Sequence, residues 1–142
     1  MKTMRLSGGD LVIGANSDLQ MVTGADKVEQ DMRCALLEPL GNDRFHPGWG
    51  SSLDDFISRP IVGSVESDVL AEVNRVVGNY AAVQRDKIES QMLSGADSTY
   101  TTDEVVSGVT DVTTHQTYDT VAVKISIGTV SGQTVTLSES GA

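Results

Sequence analysis

The apolar residues change their spacing partway along this chain, and that change limits the fold more than any other feature. Val65, Val69, Val73, Val76, Val77 and Tyr80 recur at helical spacing. Val121, Val123, Ile125 and Ile127 alternate with Ala122, Lys124, Ser126 and Gly128. A 3.6-residue period buries one face of a helix, and a two-residue period buries one face of a strand. Helical and strand patterns sit in separate blocks, which argues for an α+β fold over a wound parallel sheet.

The remaining segments fill in that frame. Leu11-Val12-Ile13 and the Leu19–Thr23 alternation flank the turn-forming run Gly14-Ala15-Asn16-Ser17-Asp18, so a hairpin is expected over residues 9–24. Gly8-Gly9 leaves residues 1–8 as a flexible arm. A first helix is expected over Ala25–Glu38, capped by Thr23 or Asp26, with Val28, Met32, Ala35 and Leu36 on one face and Pro39 as its stop. Cys34 lies in that helix, where a small buried or half-buried hydrophobe is expected. Ser51-Ser52 with Asp54 and Asp55 start a short second helix that Pro60 interrupts. A third is expected from Ser64 to about Val83, with Gly78 as its weak point. Residues 25–85 thus hold about three helices and a glycine-rich loop. Residues 105–138 read as an antiparallel β-meander: a strand over Val105–Thr114, then Val121–Ile127, a Ser131-Gly132-Gln133 turn, and Val135 with Leu137. The whole of 1–142 is expected to pack as one small domain, a length that supports a single core.

Composition excludes several function classes. The chain has 142 residues and a formal charge of −10, with a pI near 4.4. Nucleic-acid and anionic-membrane partners need clustered Lys and Arg, so neither is expected. One cysteine allows no internal disulfide and no thiolate zinc site. No signal peptide or membrane-length apolar run is present. His46 and His115 stand apart, and no P-loop or Gly-x-Gly-x-x-Gly occurs. No catalytic residue, metal site or cofactor is therefore expected. The aromatic-poor composition gives no sign of a sugar-binding cleft for paired carboxylates.

The stretch from Gly41 to Ile57, GNDRFHPGWGSSLDDFI, is the strongest local signal. It holds the only tryptophan and both phenylalanines, with Phe45 and Trp49 in a loop rich in glycine. Phe45, Pro47, Trp49 and Gly50 are expected either to anchor that loop or to form an interface. The Thr/Val/Ser-rich terminal hairpin, with few charges, is a template for another chain's strand.

Together these segments resemble the baseplate wedge and sheath-initiator proteins of contractile phage tails, a family related to a baseplate subunit of type VI secretion. The resemblance rests on Gly9-Asp10-Leu11 … Asp18-Leu19 … Val22-Thr23-Gly24, then Gln30 … Arg33 … Leu36-Leu37, then Gly41-Asn42 … Pro47 … Gly50-Ser51 … Leu53 … Phe56, and finally an apolar helix followed by strands. It covers residues 9 to 90 well. The family's Gly-Glu is Gly41-Asn42 here, and its Glu-Pro-Arg stretch after the long helix corresponds to Arg85-Asp86-Lys87-Ile88, which keeps only a positive charge. The resemblance implies a non-enzymatic structural protein in the virion tail baseplate, assembled in the host cytoplasm. Its implied partners are the tail sheath protein, the wedge core proteins, and tube or hub proteins. Arg85, Asp86, Lys87 and Ile88 would meet the wedge. Val121, Val123, Ile125, Ile127, Val135 and Leu137 would form the sheet to which sheath strands add. Another tail adaptor module is the alternative. A peptidoglycan-cleaving tail lysozyme is a more distant one that these residues do not support.

Overall fold

A computed structural model describes residues 1–57, 65–117 and 120–141. It is an α+β fold with N-terminal hairpins, three helices among the described residues, and a C-terminal meander. The meander is β5 (Val106–Gln116), β6 (Val121–Thr129) and β7 (Thr134–Gly141), antiparallel in the order β5-β6-β7. Helices α1 (Gly24–Leu37) and α3 (Val65–Leu93) pack on it, α1 against β7 and α3 against β5. The short α2 (Leu53–Ile57) lies between them in sequence.

The core follows the two periods. Val28, Met32, Ala35 and Leu36 of α1, and Val69, Val73, Val76, Val77 and Tyr80 of α3, are buried against Val106, Ile125, Ile127, Val135 and Leu137. Opposed pairs Ile125↔Leu137 and Ile127↔Val135 place these strand side chains on the same inward face. Gly78 leaves open space beside a continuous helix. The Pro60 interruption and the Ser64 cap lie outside the described residues.

Four expectations are corrected. Residues 1–8 are not a free arm. Thr3–Met4 (β1) pairs with Met21–Val22 (β4), and Leu6–Ser7 (β2) turns at Gly8-Gly9 to pair with Asp10–Leu11 (β3). The expected hairpin survives as a third arm, where Ile13 bridges Leu19. Gln30 of α1 holds the assembly by two 2.8 Å bonds, donating Nε2 to Met4 O and accepting Leu6 N at Oε1. The amide thereby mimics a neighbouring strand.

Cys34 is exposed, because it lies off the Val28/Met32/Ala35/Leu36 stripe. Partial desolvation of the thiol by its neighbours, then the charges of Asp31 and Glu38, push its pKa up, the reverse of an activated cysteine. Helix α3 runs ten residues past Val83 and ends where Gly95 adopts φ +71°, with Ala96 N donating to Gln91 O at 3.0 Å. Arg85-Asp86-Lys87-Ile88 therefore lies inside the helix rather than after it. Finally, the Thr23 side chain makes no capping bond. The first amide of α1, Gly24 N, instead donates to Glu104 Oε1 at 3.0 Å, from eighty residues away.

Glu104 is fully buried. Its Oε2 accepts Thr101 N at 3.2 Å and the Met1 amino group at 2.7 Å. Burial raises the pKa of this carboxyl, but the Met1 amine and the Gly24 and Thr101 amides outweigh that and leave it below its ordinary value. Buried Gln84 completes the junction, donating to Glu104 O at 2.7 Å and accepting Val106 N at 2.9 Å. No helix among the described residues is long and apolar enough to cross a membrane.

Candidate functional site

The glycine loop is a rigid platform with an exposed tip. Its base closes by backbone bonds: Ser51 N donates to Glu38 O at 2.7 Å, and Leu40 N to Ser51 O at 2.9 Å. Gly50 has φ +93°, and a Cβ there would lie 2.6 Å from Glu38 O. Helix α3 clamps this base. Arg75 donates to Gly48 O at 3.2 Å and Gly50 O at 2.7 Å, and Asn79 donates to Gly48 O at 3.3 Å. Glu72 takes Arg75 in a two-bond fork, Nε to Oε2 at 2.8 Å and Nη2 to Oε1 at 2.7 Å, and also accepts Ser52 N at 2.7 Å.

The fork from Arg75 is the main reason Glu72's pKa falls to about 2, overcoming burial, with the Ser52 amide helping. The sign follows from linkage: a carboxyl whose folded pKa lies below its unfolded value near 4.5 stabilises the fold above that pH. That contribution, on the order of 2 kcal/mol after discounting Arg75's exposure, should disappear as pH falls from about 4.5 towards 2. Chemical denaturation at several pH values should show this acid loss, and Glu72→Gln should be less stable at neutral pH with a flatter acid limb. An unchanged acid limb in Glu72→Gln would remove the clamp from the account.

The four expected loop residues divide. Trp49 is partly buried against the core, its ring 6.4 Å from Tyr80, and Gly50 is buried. These two anchor the loop. Phe45, 87% exposed, and Pro47, also exposed, form the tip. Asp43 stiffens that tip, accepting Phe45 N at 2.8 Å, His46 N at 3.2 Å and contacting His46 Nδ1 at 2.9 Å. The His46 contact and the Phe45 amide lower its pKa. The platform thus presents one aromatic ring to solvent on a fixed turn, an arrangement suited to docking.

Behind Trp49 lies a polar cluster. Tyr80 Oη donates to Asp31 Oδ2 at 2.6 Å, buried Lys27 pairs with Asp31, and Lys27 and Lys87 lie 5.7 and 5.8 Å from the Tyr100 ring. Burial and the Asp31 bond push the Tyr80 pKa well up. Every charge here has a partner, so the cluster reads as a packed joint between α1 and α3. Lys87 belongs to it. Arg85, Asp86 and Lys87 itself are exposed on α3, and Ile88 is half-buried. At 1.5 Å rise per residue, Lys87 lies about 18 Å along α3 from the Arg75 clamp, so the loop and the Arg85–Ile88 stretch form separate surfaces.

The meander narrows the strand-addition residues. Val121, Val123, Ile125 and Ile127 sit on β6, the central strand, whose two edges are taken by β5 and β7. They cannot accept a strand. Ile125 and Ile127 face the core, while Val121 and Val123 line a small apolar cleft of about 190 Å³ with Leu53 and Phe56. Val135 and Leu137 lie on β7, an edge strand with buried side chains. The two edges differ. β5 carries register shifts between Val106 and Gly108 and between Val109 and Asp111, and such bulges discourage pairing. β7 pairs regularly with β6 from Gly128↔Thr134 to Val121↔Gly141. No described strand pairs with its outer edge. Arg33 Nε, 3.1 Å from Glu139 Oε1 without hydrogen-bond alignment, ties β7 to α1.

Glu72, Arg75, Asn79, Gln84 and Glu104 were not singled out by the sequence. A capping-type carboxylate far from its helix has no local signature. The Glu72/Arg75 spacing reads equally as a surface pair. Among the described residues no three His, Cys, Asp or Glu side chains gather as a metal site. No protein-family model matches the chain, and no curated protein matches it.

Proposed function

We propose that this chain is a non-enzymatic structural component of a contractile-tail baseplate. In this reading it joins the wedge to the tube and sheath, and it starts sheath assembly by offering a strand edge to the sheath protein. The observation that carries the proposal is β7: a regular edge strand of eight residues, backed by the core, with no described strand paired on its outer side. Such an edge gives affinity through main-chain bonds and register through alternating side chains. The order of hairpins, helix, glycine loop, long helix and meander supports the family resemblance. Arg85, Asp86 and Lys87, exposed on α3, are the proposed wedge contacts, with half-buried Ile88 beside them.

The alternative, another tail adaptor, draws on the stiff Phe45 tip, which could dock a neighbour without any strand exchange. A mild pull-down of the tagged protein from its native assembly lysate separates the two. Sheath and wedge proteins recovered together support the initiator role. Wedge proteins without sheath favour the adaptor, and recovery of no tail protein defeats both.

A further inference from the structure

Three short arms at the N-terminus meet in a ring of backbone bonds. Arg5 N donates to Gln20 O at 2.8 Å, Gln20 N to Val12 O at 2.9 Å, and Val12 N to Arg5 O at 3.0 Å. Each residue of this ring is flanked by two large aliphatic ones: Met4 and Leu6, Leu11 and Ile13, Leu19 and Met21. The arms pair them directly as Met4↔Met21, Leu6↔Leu11 and Ile13↔Leu19. Opposed residues share a face, and so do residues two apart on a strand. All six side chains therefore stand on one face, with Arg5, Val12 and Gln20 on the other. Among the described residues nothing covers that face: the six are exposed, from 37% for Leu6 to 65% for Ile13.

We propose that this face is where two copies of the chain associate, apolar face to apolar face about a twofold axis. Two observations choose a second copy as the occupant. The first is area. The six half-exposed side chains present on the order of 500 Å², as large as a functional patch on a monomer. Two such faces together bury about 1,000 Å², the lower bound for a specific contact. The second is charge. Residues 1–22 contain two basic and two acidic side chains, Lys2, Arg5, Asp10 and Asp18, so the whole net charge of −10 belongs to the rest of the chain. The apolar face sits on a neutral segment of an acidic molecule, where two copies meet with less repulsion than across its acidic parts. The ring satisfies the central backbone groups, so docking proceeds through side chains and not by strand exchange. Met, Leu and Ile pairs are self-complementary, as an isologous contact requires. The inference does not depend on the baseplate reading.

Sedimentation equilibrium of the purified chain up to ~1 mM should show a reversible monomer–dimer equilibrium with Kd in the micromolar range or weaker. Raising the salt concentration should tighten it, because salt screens repulsion between the acidic bodies. Ile13→Gln, and separately Met4→Gln on another arm, should each weaken it by about tenfold. Both side chains are already exposed, so circular dichroism and the melting temperature should stay unchanged. A monomer at all concentrations and salts would overturn the proposal. So would a dimer that both variants leave intact, or one that salt dissociates.

Discussion

Gly50→Ala should destabilise the fold by about 3 kcal/mol or more, lowering the melting temperature of a chain this size by roughly 10 °C. Two penalties combine. The backbone at Gly50 has φ +93°, which an L side chain adopts only under strain. The added Cβ would also meet Glu38 O at 2.6 Å and Pro39 O at 2.8 Å, both backbone atoms that cannot swing aside. Relieving that clash moves the bridge between Pro39 and Ser51 and pulls Gly50 O away from Arg75. The same substitution at Gly48, where a Cβ has open space, should be nearly neutral. Thermal melts of the pair provide the check. Equal melting temperatures would mean that the loop base is not held as described.

Glu104→Ala should cost about 3 kcal/mol, because it strands two backbone amides and leaves a hole in a fully buried position. Glu104→Gln separates the causes. It keeps the volume but turns one acceptor into a donor facing either the Gly24 amide or the Thr101 amide. An intermediate loss of about 1–2 kcal/mol is expected. Denaturant titration of both variants decides the matter. If Glu104→Gln matched the parent protein, the carboxylate would not be the cap of α1. Hydrogen exchange should also show faster opening of the first turn of α1 in both variants, since no local side chain replaces the lost acceptor.

The parts of this fold that were legible in the sequence are those where burial follows a local period. The stripes of α1 and α3, and the alternation of β6 and β7, each report one face turned to a common core. Helix α3 beyond Val83 was not legible, because its apolar stripe fades there. Arg85, Lys87, Glu89, Gln91 and Met92 continue the helix by propensity, and Gly95 stops it. The ring of Arg5, Val12 and Gln20 involves three segments, and the two-residue strands β1, β2 and β3 are too short for an alternation to show. The order of strands in the meander was also hidden. Alternation identifies Val121–Ile127 as a strand but not as the middle one, which depends on β5 pairing across an irregular, bulged register. In the candidate site, the glycine loop stood out through its unusual composition. Its clamp did not, because Glu72 and Arg75 look like an ordinary i, i+3 surface pair until the loop folds over them.

Under the proposed function, the outer edge of β7 accepts a strand from the sheath protein. The most direct test is amide hydrogen exchange of this chain alone and in complex with the sheath protein of its own assembly, comparing peptides from β5 and β7. The account predicts new protection in the 134–141 peptide, with β5 unchanged. A complex that forms without slowing exchange in β7, or that protects β5 instead, would contradict it.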